Sequence, residues 1–254
     1  SINLNELNLD LNSIKEIMER YHLKKKYYRL KDGSFLNLQD NQEISFLDKL
    51  ITGTDVNYKE LEKGEIKLPV SRTLYLNTIL GKLKSTAITK NETYKTIVNS
   101  LNKEQLEEIR LPKINANLRY YQKTGFKWLK TLDEYKFGGI LADDMGLGKT
   151  LQVISLLLAE RQDYDAGEKE LRRSLIVCPA SLVYNWQKEI ERFAPELETV
   201  TITGSAPERK DIIRHTTDGQ ILITSYDLLK RDVEYYKNIV FVVQVIDEAQ
   251  YIKN

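Results

Sequence analysis

The chain has 254 residues, of which 41% are hydrophobic and 30% are charged, a balance typical of a globular protein. Its formal net charge of +1 neither requires nor excludes a polyanionic partner such as a nucleic acid. The sequence has no apolar run of about 18 residues, so we expect no segment that spans a membrane, and its first residues lack the basic and apolar regions of a signal peptide. The single cysteine, Cys178, excludes an internal disulfide and fits a reducing cytoplasm. Its place in an apolar run predicts a small buried side chain rather than a nucleophile.

The first part of the chain predicts a small α+β domain. Residues 13–23 place apolar side chains at helical spacing, with Ser13 as a candidate N-cap. An Asp-Gly pair, Asp32-Gly33, joins two strand-like runs and predicts a β-hairpin. Further helical patterns follow at 40–50, which Gly53 closes, at 58–63, at 71–83, at 94–101 with Asn91 as a candidate cap, and at 103–110.

The hairpin opens with three consecutive lysines, Lys24–Lys26, followed by Tyr27 and Tyr28. Such side chains suit a phosphate backbone and base stacking, but lysines on an edge strand also keep it from pairing with another chain. We favour the second interpretation, because one short basic run discriminates poorly between the two. A connector around Pro112 then predicts the domain boundary, which separates residues 1–112 from residues 113–254.

A helical pattern over 117–129 precedes a glycine-rich loop. Gln122 in this helix has both a donor and an acceptor with which to read an adenine edge, although periodicity alone also fits a polar surface position. Residues Gly139–Ala142 then predict a short buried strand, and the apolar run after Lys149 predicts a long helix. Strand, glycine turn and helix in this order are the context that a phosphate-binding loop requires.

The residues of this loop suit a triphosphate. Gly146 and Gly148 let successive backbone N–H groups point at an anion, and the helix adds its positive N-terminal end. Lys149 would reach the β- and γ-phosphates, and the Thr150 hydroxyl would hold Mg²⁺. Asp143 stands where the usual pattern has its first glycine, so a loop that only resembles the motif is the alternative. The strand–loop–helix context favours the phosphate loop.

The rest of the chain alternates strands with helices. The polar stretch 161–173 predicts an exposed loop or a frayed helix end, and 183–193 predicts a helix with Trp186 and Ile190 on one face. Strands with their turns are predicted at 174–182, 199–204, 221–227 and 239–246. This alternation predicts a parallel sheet covered on both faces, with ligands gathered at the carboxyl ends of its strands.

Asp247 and Glu248 follow the last of these strands. In a Walker-B site, Asp247 would hold Mg²⁺ through water and Glu248 would orient and deprotonate an attacking water. An acidic helix N-terminus is the alternative for an isolated Asp-Glu pair. The parallel-sheet pattern and the preceding phosphate loop favour the Walker-B site.

Residues 118–254 resemble the first motor lobe of SWI/SNF-type ATPases in helicase superfamily two. Five stretches carry the resemblance in the order of the family: LRYYQKTGFKWL, ILADDMGLGKTLQVISLL, LIVCPASLVYNWQKEI, ILITSYDLL and IDEAQYIKN. Asp143 is usual in that family. Residues 20–110 resemble more loosely the associated domain of bacterial members. The resemblance implies a RecA-like α/β fold with a parallel sheet flanked by helices, preceded by a small α+β domain, in a DNA-dependent ATPase that translocates on double-stranded DNA.

The resemblance also implies site residues by position. It assigns nucleotide binding to Arg119, Gln122, Asp144, Met145, Gly146, Leu147, Gly148, Lys149, Thr150 and Gln250. It assigns catalysis to Lys149 and Glu248, and Mg²⁺ to Thr150 and Asp247. It assigns contacts with the DNA backbone to Pro179, Ser181, Leu182 and Asn185 and to Thr224, Ser225 and Tyr226. Turn capping by the Ser and Thr hydroxyls is the alternative for these positions. Gln250 stands where the family most often has His.

The start and end of the chain shape the remaining expectations. The chain begins without Met and ends just after the Walker-B pair, so we expect a piece of a longer protein without the second lobe and its arginine fingers. Such a piece would bind ATP weakly and hydrolyse it negligibly. We expect ATP and Mg²⁺ as cofactors, double-stranded DNA and RNA polymerase or another DNA-bound protein as partners, no membrane, and a cytoplasmic, nucleoid-associated location. A non-catalytic protein-interaction module on a degenerate phosphate-loop fold and a restriction-type translocase are the alternatives.

Overall fold

The computed structural model of the chain describes residues 11–30, 33–39, 41–54, 68–81, 90–100 and 103–252. The chain divides into two compact units, the first made of Ser1–Asn102 with Glu134–Gly138 and the second of Lys103–Asp133 with Gly139–Asn254. None of the described helices has both the length and the apolar character that crossing a bilayer requires. The boundary predicted after residue 112 stays a prediction, and the helix predicted at 58–63 lies outside the described residues.

The first unit contains a hairpin and helices, as the sequence predicts. Its elements are α1 (Leu11–His22), β1 (Tyr27–Arg29), β2 (Phe35–Asn37), α2 (Gln42–Thr54), a 3₁₀ turn (Val70–Arg72), α3 (Thr73–Leu80) and α4 (Glu92–Asn99). The two strands pair antiparallel with Tyr28 opposite Leu36, which confirms the hairpin. A buried cluster that includes Ile17, Met18 and Leu47 joins α1 and α2 to this hairpin.

The basic run at the start of the hairpin is exposed. Lys24, Lys25 and Lys26 all face solvent, whereas Tyr28 is buried and donates a 2.8 Å hydrogen bond to the Glu16 carboxylate. Alternation along β1 therefore turns one of the two tyrosines into the core. The exposed lysines are compatible with both interpretations of this run.

Of the three helix ends predicted in this unit, one is confirmed and two were wrong. Asn91 caps α4 as predicted, since its side chain accepts a hydrogen bond from the Tyr94 amide at 2.9 Å. Ser13 is not an N-cap, because α1 begins at Leu11 and Ser13 lies buried inside it. Gly53 does not end α2, which continues to Thr54. A Cβ at Gly53 would lie 2.1 Å from the Tyr75 hydroxyl, so this glycine permits close packing instead.

The second unit is an α/β layer structure. Its elements are α5 (Lys103–Glu108), α6 (Tyr120–Glu134), α7 (Lys149–Asp165), β3 (Arg173–Cys178), α8 (Val183–Phe193), β4 (Thr199–Thr201), α9 (Ala206–His215), β5 (Ile221–Ser225), α10 (Tyr226–Tyr236) and β6 (Phe241–Ile246). The strand order is β4-β5-β3-β6, and each pairing is parallel. The predicted parallel sheet is confirmed, with the helix at 183–193 at its predicted position.

Both faces of the sheet are covered. Along β3, Ile176 and Cys178 pack with Trp186 of α8, while Leu175 and Val177 pack in a separate cluster on the opposite face. Burial, with a smaller contribution from the negative charge of Asp247, raises the pKa of Cys178 to about 12. The thiol is therefore neutral and fully buried, as predicted for a packing residue.

The strand predicted at Gly139–Ala142 does not form. These residues are irregular, and Ile140 is 85% exposed. β6 pairs with β3 along one edge, and no strand in the described part of the chain lies against residues 139–142. A lone extended segment has no ladder in which to place its backbone N–H and C=O groups, so an apolar run by itself does not produce a strand. The prediction of a buried strand here was wrong.

Ion pairs join α6 to α7. The Lys130 ammonium lies 2.6 Å from Glu160 and also contacts Asp163, and Lys130 and Glu160 are both buried. Lys169 closes the group through contacts of 2.7 Å with Glu160 and 2.8 Å with Asp133. Because removing one member of a buried pair leaves an uncompensated charge, this cluster fixes the C-terminal parts of α6 and α7 against each other.

Candidate active site

The glycine-rich loop has the geometry of an anion cradle. Gly146 and Gly148 adopt φ angles of +81° and +77°, which residues with a side chain rarely adopt. Gly148 is also the N-cap of α7 and supplies no capping side chain. The first N–H groups of α7 therefore lack a side-chain acceptor and, with the positive end of the helix, suit a phosphate group.

Lys149 reaches back into this loop. Its ammonium donates to the backbone carbonyls of Asp143 at 2.8 Å and Asp144 at 3.2 Å. No carboxylate among the described residues forms an ion pair with it. Neutral carbonyls are weaker partners for an ammonium than charged phosphate oxygens, so a triphosphate would displace them. Met145, at the tip of the loop, is 93% exposed, which leaves the cradle open on that side.

Gln122 is tied to the loop. Its carboxamide oxygen accepts a hydrogen bond from the Arg119 amide at 2.9 Å, and its nitrogen donates to the Leu147 carbonyl at 3.1 Å. The side chain is 7% exposed, and a Cβ on Gly148 would lie 2.5 Å from its nitrogen. One N–H and one lone pair of Gln122 are left for a ligand. Adenine recognition by Gln122 and Arg119 stays a prediction.

Asp143, which replaces the first glycine of the usual pattern, has a structural partner that the sequence did not indicate. Its carboxylate accepts a 2.9 Å hydrogen bond from the side-chain nitrogen of Gln152, a fully buried residue of α7. The Gln152 oxygen has no hydrogen-bond partner and faces Gly125 of α6, where a Cβ would lie 1.8 Å away. The loop is thereby fastened to its own helix at the position where the motif departs from the common form.

The carboxyl ends of three neighbouring strands hold the other predicted site residues. In register, Cys178 at the end of β3 pairs with Ser225 of β5, and Val177 pairs with Ile246 of β6. The segments that begin with Pro179, Ser225 and Asp247 therefore leave the sheet side by side. This is the edge at which open α/β sheets bind ligands.

Asp247 is held by hydrogen bonds from this edge. Its backbone N–H donates to the Val177 carbonyl at 2.8 Å, and its carboxylate oxygen Oδ2 accepts from the Trp186 indole nitrogen at 2.9 Å. The Tyr226 hydroxyl donates to the Asp247 carbonyl oxygen. The sequence singled out Trp186 only as a core residue. Its indole N–H was the missed signal, since a buried tryptophan usually finds an acceptor.

Glu248 and Gln250 lie at the exposed rim of this edge. Glu248 has a φ of +52°, an uncommon conformation for a residue with a side chain. The Gln250 carboxamide donates to the Glu248 carboxylate. This contact shows that the Gln250 side chain reaches Glu248. The catalytic role of Glu248 and the nucleotide-binding role of Gln250 stay predictions.

The glycine-rich loop and the edge of the sheet carry opposite charges. Lys149 contributes a cation to the loop, and Asp247 and Glu248 contribute carboxylates to the edge of the sheet; no hydrogen bond or ion pair within the described residues joins the two groups. No group of three or more His, Cys, Asp or Glu side chains in the described ranges could enclose a metal ion by itself. A Mg²⁺ ion held by Asp247 and Thr150 would therefore share its coordination with phosphate oxygens and water, as Mg²⁺ commonly does.

The residues predicted to contact DNA differ in exposure. Ser181 and Asn185 are exposed, and Pro179 and Leu182 are half-buried. Thr224 and Ser225 are buried, and the Ser225 hydroxyl accepts a hydrogen bond from the Leu228 amide as the N-cap of α10. Tyr226 is half-buried, and its ring stacks on Tyr251 at 6.2 Å. Helix capping thus accounts for Ser225, and DNA contact by both segments stays a prediction.

Two family models match the chain. A model described as SNF2-related domain matches residues 121–254, and one described as bacterial SNF2 helicase associated matches residues 2–112. An uncharacterized ATP-dependent helicase of Mycoplasma genitalium is 46% identical over 138 residues, which cover 54% of this chain and 13% of that protein. The TATA-binding protein-associated factor MOT1 of Saccharomyces cerevisiae is 38% identical over 148 residues, which cover 56% of this chain and 8% of that protein.

A solved structure shares the fold of the second unit. The SWI2/SNF2 ATPase core of Sulfolobus solfataricus in complex with dsDNA matches with a TM-score of 0.50 and 39% identity, over 57% of this chain and 29% of that chain. This similarity confirms the predicted RecA-like sheet flanked by helices. In each of these matches the chain spans less than a third of the longer protein.

Proposed function

The chain belongs to the SNF2 family of ATP-dependent helicases, and from that membership we propose that it is the ATP-binding part of a motor that translocates on double-stranded DNA. The observation that carries the proposal is the phosphate loop. Two left-handed glycines, a helix N-terminus without a capping side chain and a lysine ammonium held only by backbone carbonyls converge on this loop. Together they offer backbone donors and a cation to the same anion.

Each residue of the site has a distinct role in the proposed reaction. The amides from Asp143 to Thr150 bind the β- and γ-phosphates, and Lys149 neutralises their charge. Mg²⁺ supplies further charge neutralisation when it is bound by Thr150 and Asp247. Glu248 orients the attacking water and accepts its proton. Gln122 fixes the loop and presents its remaining N–H to the base.

The DNA partner is proposed from the family and from the exposed edge of the sheet. Ser181 and Asn185 offer hydrogen-bonding groups to a phosphate backbone, contacts that carry no sequence information. The ATPase core of Sulfolobus solfataricus was solved with dsDNA, which supports the same class of partner for this chain. RNA polymerase or another DNA-bound protein as the target, and a nucleoid-associated cytoplasmic location, are parts of the proposal that rest on the family resemblance.

We further propose that this chain by itself binds ATP and hydrolyses it negligibly. In the SWI/SNF-type motors that it resembles, arginine fingers from a second lobe complete the catalytic site. An arginine finger contributes on the order of 10³–10⁵ in turnover. Robust DNA-stimulated hydrolysis by the isolated chain would contradict this part of the proposal.

Binding of a fluorescent ATP analogue tests the proposed function. Lys149→Ala removes the cation of the loop, and we expect its affinity for the analogue to fall at least about tenfold. Lys237→Ala removes an exposed lysine of the same unit, paired with Glu234 at 2.7 Å, and should bind as the wild type does. Equal binding by all three proteins would reject a nucleotide site here and would favour a protein-interaction module on the same fold.

A further inference from the structure

Asp247 is the meeting point of contacts from both segments predicted to touch DNA. Trp186 lies on α8, the helix that follows the segment Pro179–Leu182. Tyr226 begins α10, directly after Thr224 and Ser225. The first residue donates to the carboxylate of Asp247 and the second to its backbone carbonyl. The two segments are thereby linked to one acidic residue through side-chain hydrogen bonds.

The Trp186 contact is rigid. Its side chain is 3% exposed and packs with Cys178, Val183 and Ile190 in the core on one face of the sheet. An indole has a single N–H donor, and the dense packing around the ring leaves it no room to follow a carboxylate that moves away. Any displacement of α8 along its axis therefore either moves the Asp247 carboxylate or breaks the hydrogen bond.

The Tyr226 side chain is also held in place by its neighbours. The Tyr226 hydroxyl donates to the backbone carbonyl oxygen of Asp247. The ring stacks on Tyr251 beyond the Walker-B pair, with 19° between the two planes. The hydroxyl and the ring thus hold the chain before and after Glu248.

We propose that Trp186 and Tyr226 form a clamp on Asp247 that couples the DNA-contact segments to the Mg²⁺-holding carboxylate. Trp186 donates to Oδ2, so Oδ1 would be the oxygen of Asp247 that is available to hold Mg²⁺. Both are positioning residues, since they act through Asp247. The inference rests on the proposed function and goes beyond it, because it states how a contact with duplex DNA reaches the nucleotide site.

The indole N–H resonances of the wild-type chain report directly on the clamp. The chain has two tryptophans, Trp128 and Trp186, and Trp186→Phe assigns the two signals. We expect the Trp186 signal to shift when Mg²⁺ and a non-hydrolysable ATP analogue are added, and to shift again when duplex DNA is added. If the analogue binds and the Trp186 signal stays in place at both steps, the clamp is rejected.

Variants test the coupling itself. The measured quantity is the gain in affinity for the analogue when Mg²⁺ is added, with and without duplex DNA. Trp186→Phe keeps the buried ring but loses the donor, and we expect it to lower this gain about tenfold, the equivalent of one charge-assisted hydrogen bond, while Mg²⁺-free affinity is kept. Tyr226→Phe removes the hydrogen bond to the Asp247 carbonyl, and we expect it to lower both the gain and the additional effect of DNA, because coupling between two ligands is reciprocal.

Trp128→Phe is the matched control and should retain both the gain and the effect of DNA. A full Mg²⁺ gain and a full DNA effect in both clamp variants would overturn the inference. Failure of the proposed function looks different, since the wild-type chain would then bind no analogue or would bind it independently of Lys149. Circular dichroism of Trp186→Phe checks its fold, and Tyr226→Phe and the wild-type resonances keep the clamp testable if that variant is unstable.

Discussion

The side-chain nitrogen of Gln152 donates a 2.9 Å hydrogen bond to the carboxylate of Asp143, nine positions earlier in the chain. This bond joins the first residue of the phosphate loop to the helix that the loop initiates. It explains how an acidic side chain is accommodated where the common motif has glycine. Asp143 and Gln152 therefore act together, and the loop geometry depends on both.

Gln152→Met separates the role of this bond from that of the buried volume. Methionine has nearly the same size but no donor, so Asp143 loses its partner and the loop loses an anchor. We expect affinity for an ATP analogue to fall about tenfold. The free energy of unfolding should stay within about 1.5 kcal/mol of the wild type, since the unpartnered Gln152 oxygen is removed as well. Unchanged affinity in a folded variant would show that the bond is not needed for the loop.

Gly125→Ala should be destabilising even though alanine is the better helix former. The new Cβ would lie 1.8 Å from the Gln152 oxygen, so the buried carboxamide must leave its position. We expect a loss of about 1–3 kcal/mol in the free energy of unfolding, measured by chemical denaturation. An ordinary glycine-to-alanine change inside a helix would stabilise by up to about 1 kcal/mol.

A second substitution provides the control for this prediction. In the presence of Gln152→Ala the clash is absent, so adding Gly125→Ala should then be neutral or stabilising. Gly138→Ala, whose Cβ meets nothing within 4 Å, should leave the free energy of unfolding nearly unchanged. Additive effects of the two substitutions at 125 and 152 would contradict the packing argument.

Local patterns predicted most of the second unit because its strands are apolar runs that end at polar or turn-forming residues. The run at 174–178 becomes β3, and the helix at 183–193 has the predicted limits. Gly139–Ala142 fails for a reason that no local pattern contains, since a strand needs a neighbour in the sheet. Conversely, α9 was missed although Ser205 and Glu208 form a capping box, with the Ser205 amide donating to the Glu208 carboxylate at 2.7 Å.

The candidate site likewise contains residues that the sequence indicated and contacts that it did not. The spacing of the loop and its place before an apolar helix pointed to Lys149, and the end of an apolar strand pointed to Asp247. The hydrogen bond between Trp186 and Asp247 spans 61 positions and exists only because β3 and β6 are neighbours. Contacts of this kind depend on strand order, which sequence periodicity does not determine.

Removing one partner of the buried ion pair between α9 and α10 should be strongly destabilising. Arg209 binds Asp232 through two nitrogens at 2.6 and 2.9 Å, and the residues are 5% and 3% exposed. Asp232→Asn leaves the buried guanidinium without its counter-charge, and we expect the free energy of unfolding to fall by about 3–5 kcal/mol. Chemical denaturation measures the change.

The exposed pair between Lys237 and Glu234 is the control for that measurement. Its side chains are 61% and 69% exposed, so Glu234→Gln should cost less than about 1 kcal/mol. Similar losses for Asp232→Asn and Glu234→Gln would show that burial does not set the strength of these pairs. In that case the buried pair would not explain how α9 and α10 stay together.

The Cys178 thiol should make the folded state less stable at high pH. Burial and the charge of Asp247 raise its pKa from 9.0 to about 12, so between these values the folded state retains a proton that the unfolded chain has lost. The stabilising contribution is complete below pH 9.0 and is lost as the pH rises toward 12, by up to about 1.4 kcal/mol per pH unit. Cys178→Ala lacks this term. We therefore expect the difference in unfolding free energy between the wild type and this less stable variant to shrink from about pH 8 to about pH 10.5.

Tyr236 does not disturb this comparison. Its pKa, raised from 10.0 to about 12 chiefly by burial, affects both proteins equally and cancels. A difference that is constant over this range would mean that the thiol ionises in the folded state as readily as in the unfolded chain.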